Sequence, residues 1–190
     1  MTAEETARSP LAHRAAALAA IAAATKGAVT LAEVAFLTQV DVRVEPPAPG
    51  GIGATEPLAP NLSERDGDRE TLWLGPDERL VVAPPETTDR LLAEIEHSLA
   101  EVHHRAVDVS ANRAVLDLGG TRLLDLLSKG CSLDLHPSVW ANGSCAQTLL
   151  AKVQVILQRR EAQVRIFVRP SFADYVVDWL LNAASEYRES

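Results

Sequence analysis

Few residues in this chain have the type and spacing to do chemistry. His97, Glu101 and His104 fall at i, i+4 and i+7 toward the end of a helical pattern and could share a face. A metal ion needs that convergence, but a solvated helix end has the same spacing, and two histidines with one carboxylate fall short of a full ligand set. His103 and His104 also suit a helix C-terminus electrostatically without any further role. Cys131 follows Lys129 and Gly130, and a neighbouring cation would favour a thiolate. A nucleophilic cysteine also needs a base, and His136, followed by a proline, is the one nearby in sequence. The alternative is an ordinary packed cysteine. Gly119-Gly120-Thr121 ahead of a short helix could meet an anion or simply cap the helix. Gly50-Gly51-Ile52-Gly53 has no following lysine and no strand-to-helix setting, so a phosphate loop is not supported. No Rossmann fingerprint, Walker sequence, GxSxG or HExxH occurs. From residue types alone, no catalytic, cofactor-binding or metal residue is assigned.

The elements that would position these groups follow from hydrophobic period. An alanine-rich helix is expected over Pro10–Thr25; its apolar run Ala15–Ala24 is too short to span a bilayer, and Glu4 and Glu5 argue against a secretory leader. The second half of Val34–Val44 alternates, with Val40, Val42 and Val44 on one face, which reads as a strand. Glu45–Glu70 is rich in proline and glycine and reads as a surface arm. Thr71–Leu74 and Arg79–Ala83 flank Gly75-Pro76-Asp77 as a hairpin. A helix over Thr88–Val102 carries Leu91, Leu92, Ile95, Leu99 and Val102 on one face. Arg105–Ser110 is a strand, Asn112 turns the chain, and Ala114–Leu118 returns it. A short helix, Arg122–Ser128, stops at Gly130. Ala146–Arg160 is one long strand or a bent pair, against which Val164–Val168 pairs back. Ser171 is the expected N-cap of a last helix striped by Phe172, Val176, Trp179, Leu180 and Ala183.

The fold class is therefore α+β: an antiparallel sheet with helices on one face, preceded by an N-terminal helix and a Pro/Gly-rich arm. The division expected is 1–70 for helix, strand and arm, and 71–190 for the α+β domain. Composition agrees with a folded protein, at 47% hydrophobic and 23% charged. The net charge of -8 carries no basic stripe, so nucleic acid is not an expected partner, and neither is a membrane. Two cysteines cannot make a disulfide framework, which suits a reducing, cytoplasmic setting.

Longer motifs add a resemblance. DVSANRAVLDLGG, SKGCSLDLHP, GSCAQTLLAKVQVIL and VRPSFADYVVDWLL, in this order, with the N-terminal RSPLAHR, resemble the gamma subunit of heterotetrameric sarcosine oxidase. The match is densest from about Ala106 to Ala183. Asp108-Val109-Ser110, Leu118-Gly119-Gly120, a helix and a long strand are also similar to the folate-binding domain of the glycine-cleavage T-protein family. That family has acidic residues at the stretch corresponding to Lys152–Arg160, and here the stretch holds neither aspartate, glutamate nor glycine. The resemblance thus implies a T-protein-like fold without its carboxylate chemistry. It implies a non-catalytic accessory subunit supporting oxidative demethylation of sarcosine to glycine. The expected partners are alpha, beta and delta subunits, mainly alpha, with FAD, FMN, NAD, zinc and tetrahydrofolate all held by subunits other than this one. A rival reading is a free-standing folate-binding regulatory or transfer protein using the Cys131 thiol. In the KGC-bearing folate-fold proteins a glycine, a glutamine and a glutamate follow that motif, and here Ser132-Leu133-Asp134 stand instead.

Overall fold

Alternation along the strands decides the layering. In β2 (Thr38–Val44), Val40, Val42 and Val44 are buried on one side while Gln39, Asp41 and Arg43 lie on the other. The structure, a computed structural model, describes residues 8–45 and 59–188. The other described elements, in chain order, are α1 (Ala15–Ala24), β1 (Thr30–Glu33), β3 (Ser63–Asp66), β4 (Arg69–Gly75), β5 (Glu78–Ala83), α2 (Thr88–Ser98), β6 (His104–Asp108), β7 (Ala114–Gly119), α3 (Leu123–Ser128), β8 (Cys145–Leu150), β9 (Val153–Arg160), β10 (Gln163–Val168) and α4 (Pro170–Ala183).

The fold is α+β with antiparallel pairing, as expected, and the strands divide between two five-stranded sheets. One runs β1-β7-β10-β9-β8 and the other β3-β4-β5-β2-β6. Each sheet carries its helices on one face. Leu18 and Ile21 of α1, Leu123, Leu126 and Leu127 of α3, and Val176, Val177 and Leu180 of α4 pack on the first sheet. Leu91 and Ile95 of α2 pack on Val40, Val42 and Val81 of the second. The inner faces meet through Leu72, Leu74, Leu80 and Val82 on one side and Val115, Cys145, Ile156 and Phe167 on the other. The result is four layers, helix, sheet, sheet, helix.

Several local expectations change. β6 and β7 are not partners: β6 pairs with β2, and β7 with β1 and β10. Asn112 closes a 3-10 turn, Ser110–Asn112, from which the chain crosses between sheets. The expected arm is shorter than Glu45–Glu70. Residues 46–58 lie outside the described residues, whereas Ser63–Asp66 forms β3 and pairs with β4 across Gly67-Asp68. β3 is an edge strand that is polar on both faces, so no alternation announces it. α2 ends at Ser98, four residues early, though Leu99 remains fully buried. α3 starts at Leu123 with Arg122 ahead of it and no side-chain cap from Thr121. Ser171 does not cap α4: Arg169 precedes it in an extended conformation and Pro170 occupies the first turn, where its fixed φ and missing N–H cost nothing. Ala146–Arg160 is the bent pair, broken at Ala151 and Lys152, both with positive φ as a two-residue hairpin of this hand requires. β10 pairs back on β9 as expected.

Candidate functional site

The same alternation sorts β7, β9 and β10 residue by residue. Leu116, Leu118, Val153, Val155, Leu157, Val164 and Ile166 face the helices. Val115, Ile156 and Phe167 face the other sheet. The next inward positions along these strands are charged or polar: Asp117 on β7, Gln158 and Arg160 on β9, Arg165 on β10. Opposite them stands Glu70 of β4. These five make a cluster at one end of the space between the sheets.

Its geometry is tight. Arg165 grips Asp117 with two parallel bonds, Nε to Oδ1 and Nη2 to Oδ2, each 2.8 Å. Arg160 Nη2 donates to Glu70 Oε1 at 2.7 Å, and Gln158 Nε2 donates to Glu70 Oε2 at 2.8 Å and to Ser63 Oγ at 3.2 Å. Cross-contacts close the ring, Arg160 to Asp117 at 3.7 Å and Arg165 to Glu70 at 3.9 Å. Glu70 is 5% exposed and Arg165 8%. Burial works against the Arg165 charge, but the hydrogen bonds and charge of Asp117, with Glu70 behind, outweigh it and raise its pKa. Two guanidiniums thus balance two carboxylates out of water. All four carboxylate oxygens of Asp117 and Glu70 are taken up by these donors. Glu70, Gln158 and Arg160 also line a cleft of about 660 Å³.

None of these five was singled out from the sequence. The available signal was a charge at an inward position of an otherwise apolar strand: Asp117 in VLDL, Arg165 in VRIFV. The Lys152–Arg160 stretch is β9 and its leading turn, and its last residues anchor this cluster. Carboxylates do reach that stretch in space, but as ion-pair partners brought from β4 and β7.

The residues that were singled out do not assemble. His97 and Glu101 are exposed, and the helix has ended before His104, so the i, i+4, i+7 face does not exist. His104 starts β6, with Nδ1 on the Val102 carbonyl at 2.9 Å and Nε2 on Glu96 at 3.1 Å. The Val102 carbonyl first, and Glu96 after it, raise its pKa above the ordinary value. Among the described residues no group of three or more His, Cys, Asp or Glu could hold a metal ion. His136 is exposed and bonded through Nδ1 to Ser138 at 2.6 Å. Cys131 is buried in the helix-side core, its amide donating to Leu127 at 2.9 Å. Lys129 turns away from it, onto the Ala183 carbonyl at 2.5 Å, Glu186 at 2.6 Å and the Tyr187 ring. At Gly120 (φ +102), a Cβ would stand 2.4 Å from the Ala28 carbonyl oxygen, so this glycine seats the start of α3 against the loop after α1. Arg122 donates its amide to the same carbonyl at 2.9 Å. Phe172 and Tyr175 of the last helix are exposed; its buried face is Ala173, Val176, Val177 and Leu180. Among the described residues no helix is long and apolar enough to cross a membrane.

Comparison with known proteins places this architecture. Residues 50–186 match the sarcosine oxidase, gamma subunit family. The chain is 39% identical over 189 residues to sarcosine oxidase subunit gamma of Corynebacterium sp. (strain U-96), covering 95% of this chain and 91% of that one. It is 36% identical to the Arthrobacter sp. subunit of the same name, with 95% and 91% covered.

The chain belongs to the sarcosine oxidase gamma subunit family.

A chain of the heterotetrameric sarcosine oxidase from Corynebacterium sp. U-96, solved with pyrrole 2-carboxylate, superposes with a TM-score of 0.87 at 38% identity, covering 97% of both chains. The glycine cleavage aminomethyltransferase T from Bartonella henselae superposes with a TM-score of 0.64 at 12% identity, over 85% of this chain and 48% of that one. That likeness shows a shared fold, the one expected from the sequence.

In this gamma-family chain, the Lys129-Gly130-Cys131 motif is a packing junction. A Cβ on Gly130 would lie 2.4 Å from the Trp179 indole of α4. Gly130→Ala is therefore expected to lower stability by about 1–3 kcal/mol through overpacking. Urea unfolding measures it, and a midpoint equal to wild type would show that the indole moves aside freely.

Both cysteines are buried and free. Cys145 lies between the sheets, its thiol donating toward the carbonyls of Leu62 (3.2 Å) and Trp73 (3.3 Å). Burial pushes its pKa up from 9.0 to about 12. A thiol reagent at about pH 8 should label the folded chain at Cys145 far more slowly than the denatured chain. The raised pKa also has a stability sign. Stability is fully present below the unfolded thiol's pKa and declines as pH rises from there through about 12. Equal labelling rates before and after denaturation would contradict this.

Proposed function

We propose that this chain is the non-catalytic accessory subunit of a heterotetrameric sarcosine oxidase, supporting oxidative demethylation of sarcosine to glycine by its alpha and beta subunits. The observation that carries the reading is the end-to-end similarity, 38% identity and a TM-score of 0.87 over 97% of both chains, to a chain of the Corynebacterium heterotetramer. The residue chemistry supports it. The carboxylates brought to Gln158 and Arg160 are ion-paired, and the two cysteines pack in apolar layers. In this reading FAD, FMN, NAD, zinc and tetrahydrofolate belong to the alpha, beta and delta subunits. Alpha is the main contact, and the complex works in the cytoplasm.

The test is co-expression of the other three subunits with and without this chain, followed by sizing and sarcosine turnover. The expected result is loss of stable assembly, and of turnover with it, when the chain is omitted. Normal assembly and turnover without it would end the proposal. Titration of the isolated chain with tetrahydrofolate covers the rival reading as a free-standing folate protein: tight binding by the lone chain would favour the rival.

A further inference from the structure

The layer between the sheets has two polar ends, and they are not alike. At one end Glu70, Asp117, Arg160 and Arg165 satisfy one another. At the other end stand Arg43 on β2, Arg113 leading into β7 and Arg169 following β10, and there the pairing is incomplete. Arg43 is taken: it lies 2.9 Å from Glu78 and donates to Asp77 at 3.2 Å. Arg169 donates one long bond, 3.4 Å, to Asn112 Oδ1. The Arg113 guanidinium is half-buried and has neither a hydrogen bond nor an ion pair among the described residues. Its nitrogens are not sealed in the core and remain reachable from solvent.

The register makes this arrangement costly. β10 pairs with β7 as far as Val168 against Ala114, so the next residue pair sets Arg169 opposite Arg113. Like charges directly opposite on neighbouring strands are destabilising unless something comes between them. Burial first, and the Arg169 charge second, hold the Arg113 pKa below its ordinary value; Asp41 and Glu78 pull the other way without reversing it. The nearby carboxylates therefore leave this pair of cations uncompensated.

The two arginines share a hollow of about 240 Å³ with Arg43, Glu78 and Gln147, and Ile156 and Phe167 of the intersheet layer also line it. Adjacent guanidiniums present parallel N–H donors, the fork that fits the oxygens of a carboxylate or a phosphate. Glu78, on the opposing sheet, repels a second negative charge, which favours a monoanion over a phosphate dianion. The ring of Phe167 and the side chain of Ile156 suit a short hydrocarbon body. The hollow has the volume of about eight water molecules, so that body is a few carbons long.

We infer that this hollow binds a small organic monocarboxylate, its oxygens held between Arg113 and Arg169 and its apolar body against Ile156 and Phe167. The site does not rest on the reading of the chain as an assembly subunit.

Titration of the full chain with propionate, followed by ligand-observed NMR, tests it, with inorganic phosphate for comparison at about pH 8, where phosphate is a dianion. Saturable propionate binding is expected below about 10 mM, with phosphate weaker by about fivefold or more. Arg113→Ala and Arg169→Ala each weaken propionate by about tenfold or more. Arg90→Ala, on the exposed face of α2, leaves it unchanged. Without ligand, Arg113→Ala melts at or above the wild-type temperature, because it relieves a like-charge pair. Absence of saturation would overturn the inference, and so would phosphate binding as tightly as propionate or an equal loss in Arg90→Ala. A melting temperature lowered alike by Arg113→Ala and Arg169→Ala would make both structural residues and overturn it as well. Arg113→Ala that blocks assembly with the other subunits, when the wild-type chain binds no propionate, would give the hollow to a partner's carboxylate instead.

Discussion

Glu70→Ala should lower the free energy of unfolding by about 3–5 kcal/mol, the range for removing one member of a buried ionic network. The loss is not that of one hydrogen bond. Arg160 and Gln158 both donate to this carboxylate, and Arg165 lies 3.9 Å from it. Without it, two guanidiniums share the single charge of Asp117 between the sheets. The penalty is the uncompensated charge, so Glu70→Ala with Arg160→Ala together should recover part of the loss. Glu70→Gln should fall in between, because its carbonyl can accept from one neighbour while its amide group opposes another. Asp125→Ala gives the contrast. It removes a partner of Arg122 in a pair more than half exposed on both sides, and should cost no more than about 1 kcal/mol. Denaturant unfolding with an unchanged slope distinguishes the cases. A Glu70→Ala loss as small as that of Asp125→Ala would show that the cluster is solvated.

Phe167→Ala should cost about 3–5 kcal/mol for a different reason, the cavity it leaves. Phe167 is 1% exposed and is the aromatic residue among the eight buried hydrophobic members that the described residues contribute to the layer between the sheets. Its neighbours in that layer project from strands locked in two separate hydrogen-bonded sheets, so they cannot collapse without moving a sheet. Phe167→Leu should cost clearly less because it keeps most of the volume. Cys145 shares the layer and provides a second readout: its labelling by a thiol reagent should accelerate in Phe167→Ala. A midpoint within about 1 kcal/mol of wild type would mean that the sheets close over the gap.

How much of this was legible beforehand differs by element. β2, the β4–β5 hairpin, the β9–β10 pairing and the buried face of α2 were readable because each has one wet side or one apolar stripe, which imprints a period on the chain. β3 was not: SERD has no apolar member, and its place comes from hydrogen bonding to β4. The pairing of β6 and β7 was misjudged because a turn at Asn112 looks the same whether the next strand returns to its neighbour or crosses to another sheet. The helical face through His97, Glu101 and His104 was lost because α2 stopped one turn early. The cap at Ser171 yielded to Pro170, whose ring already supplies the starting dihedral.

The candidate site divides along the same line. The sequence by itself determined the α+β class, the family resemblance and the absence of acidic residues from Lys152–Arg160, since all three reside in local residue order. It also contained inward charges at Asp117 and Arg165, whose meaning depended on what lay across from them. Only the tertiary structure decided that Glu70, some 90 residues before Arg160, would neutralise that end of β9, and that Lys129 would bind the last helix instead of Cys131. Those outcomes depend on which of two sheets a strand joins. That choice is made by long-range pairing and the closing of apolar faces, and neither leaves a mark in any short window of sequence.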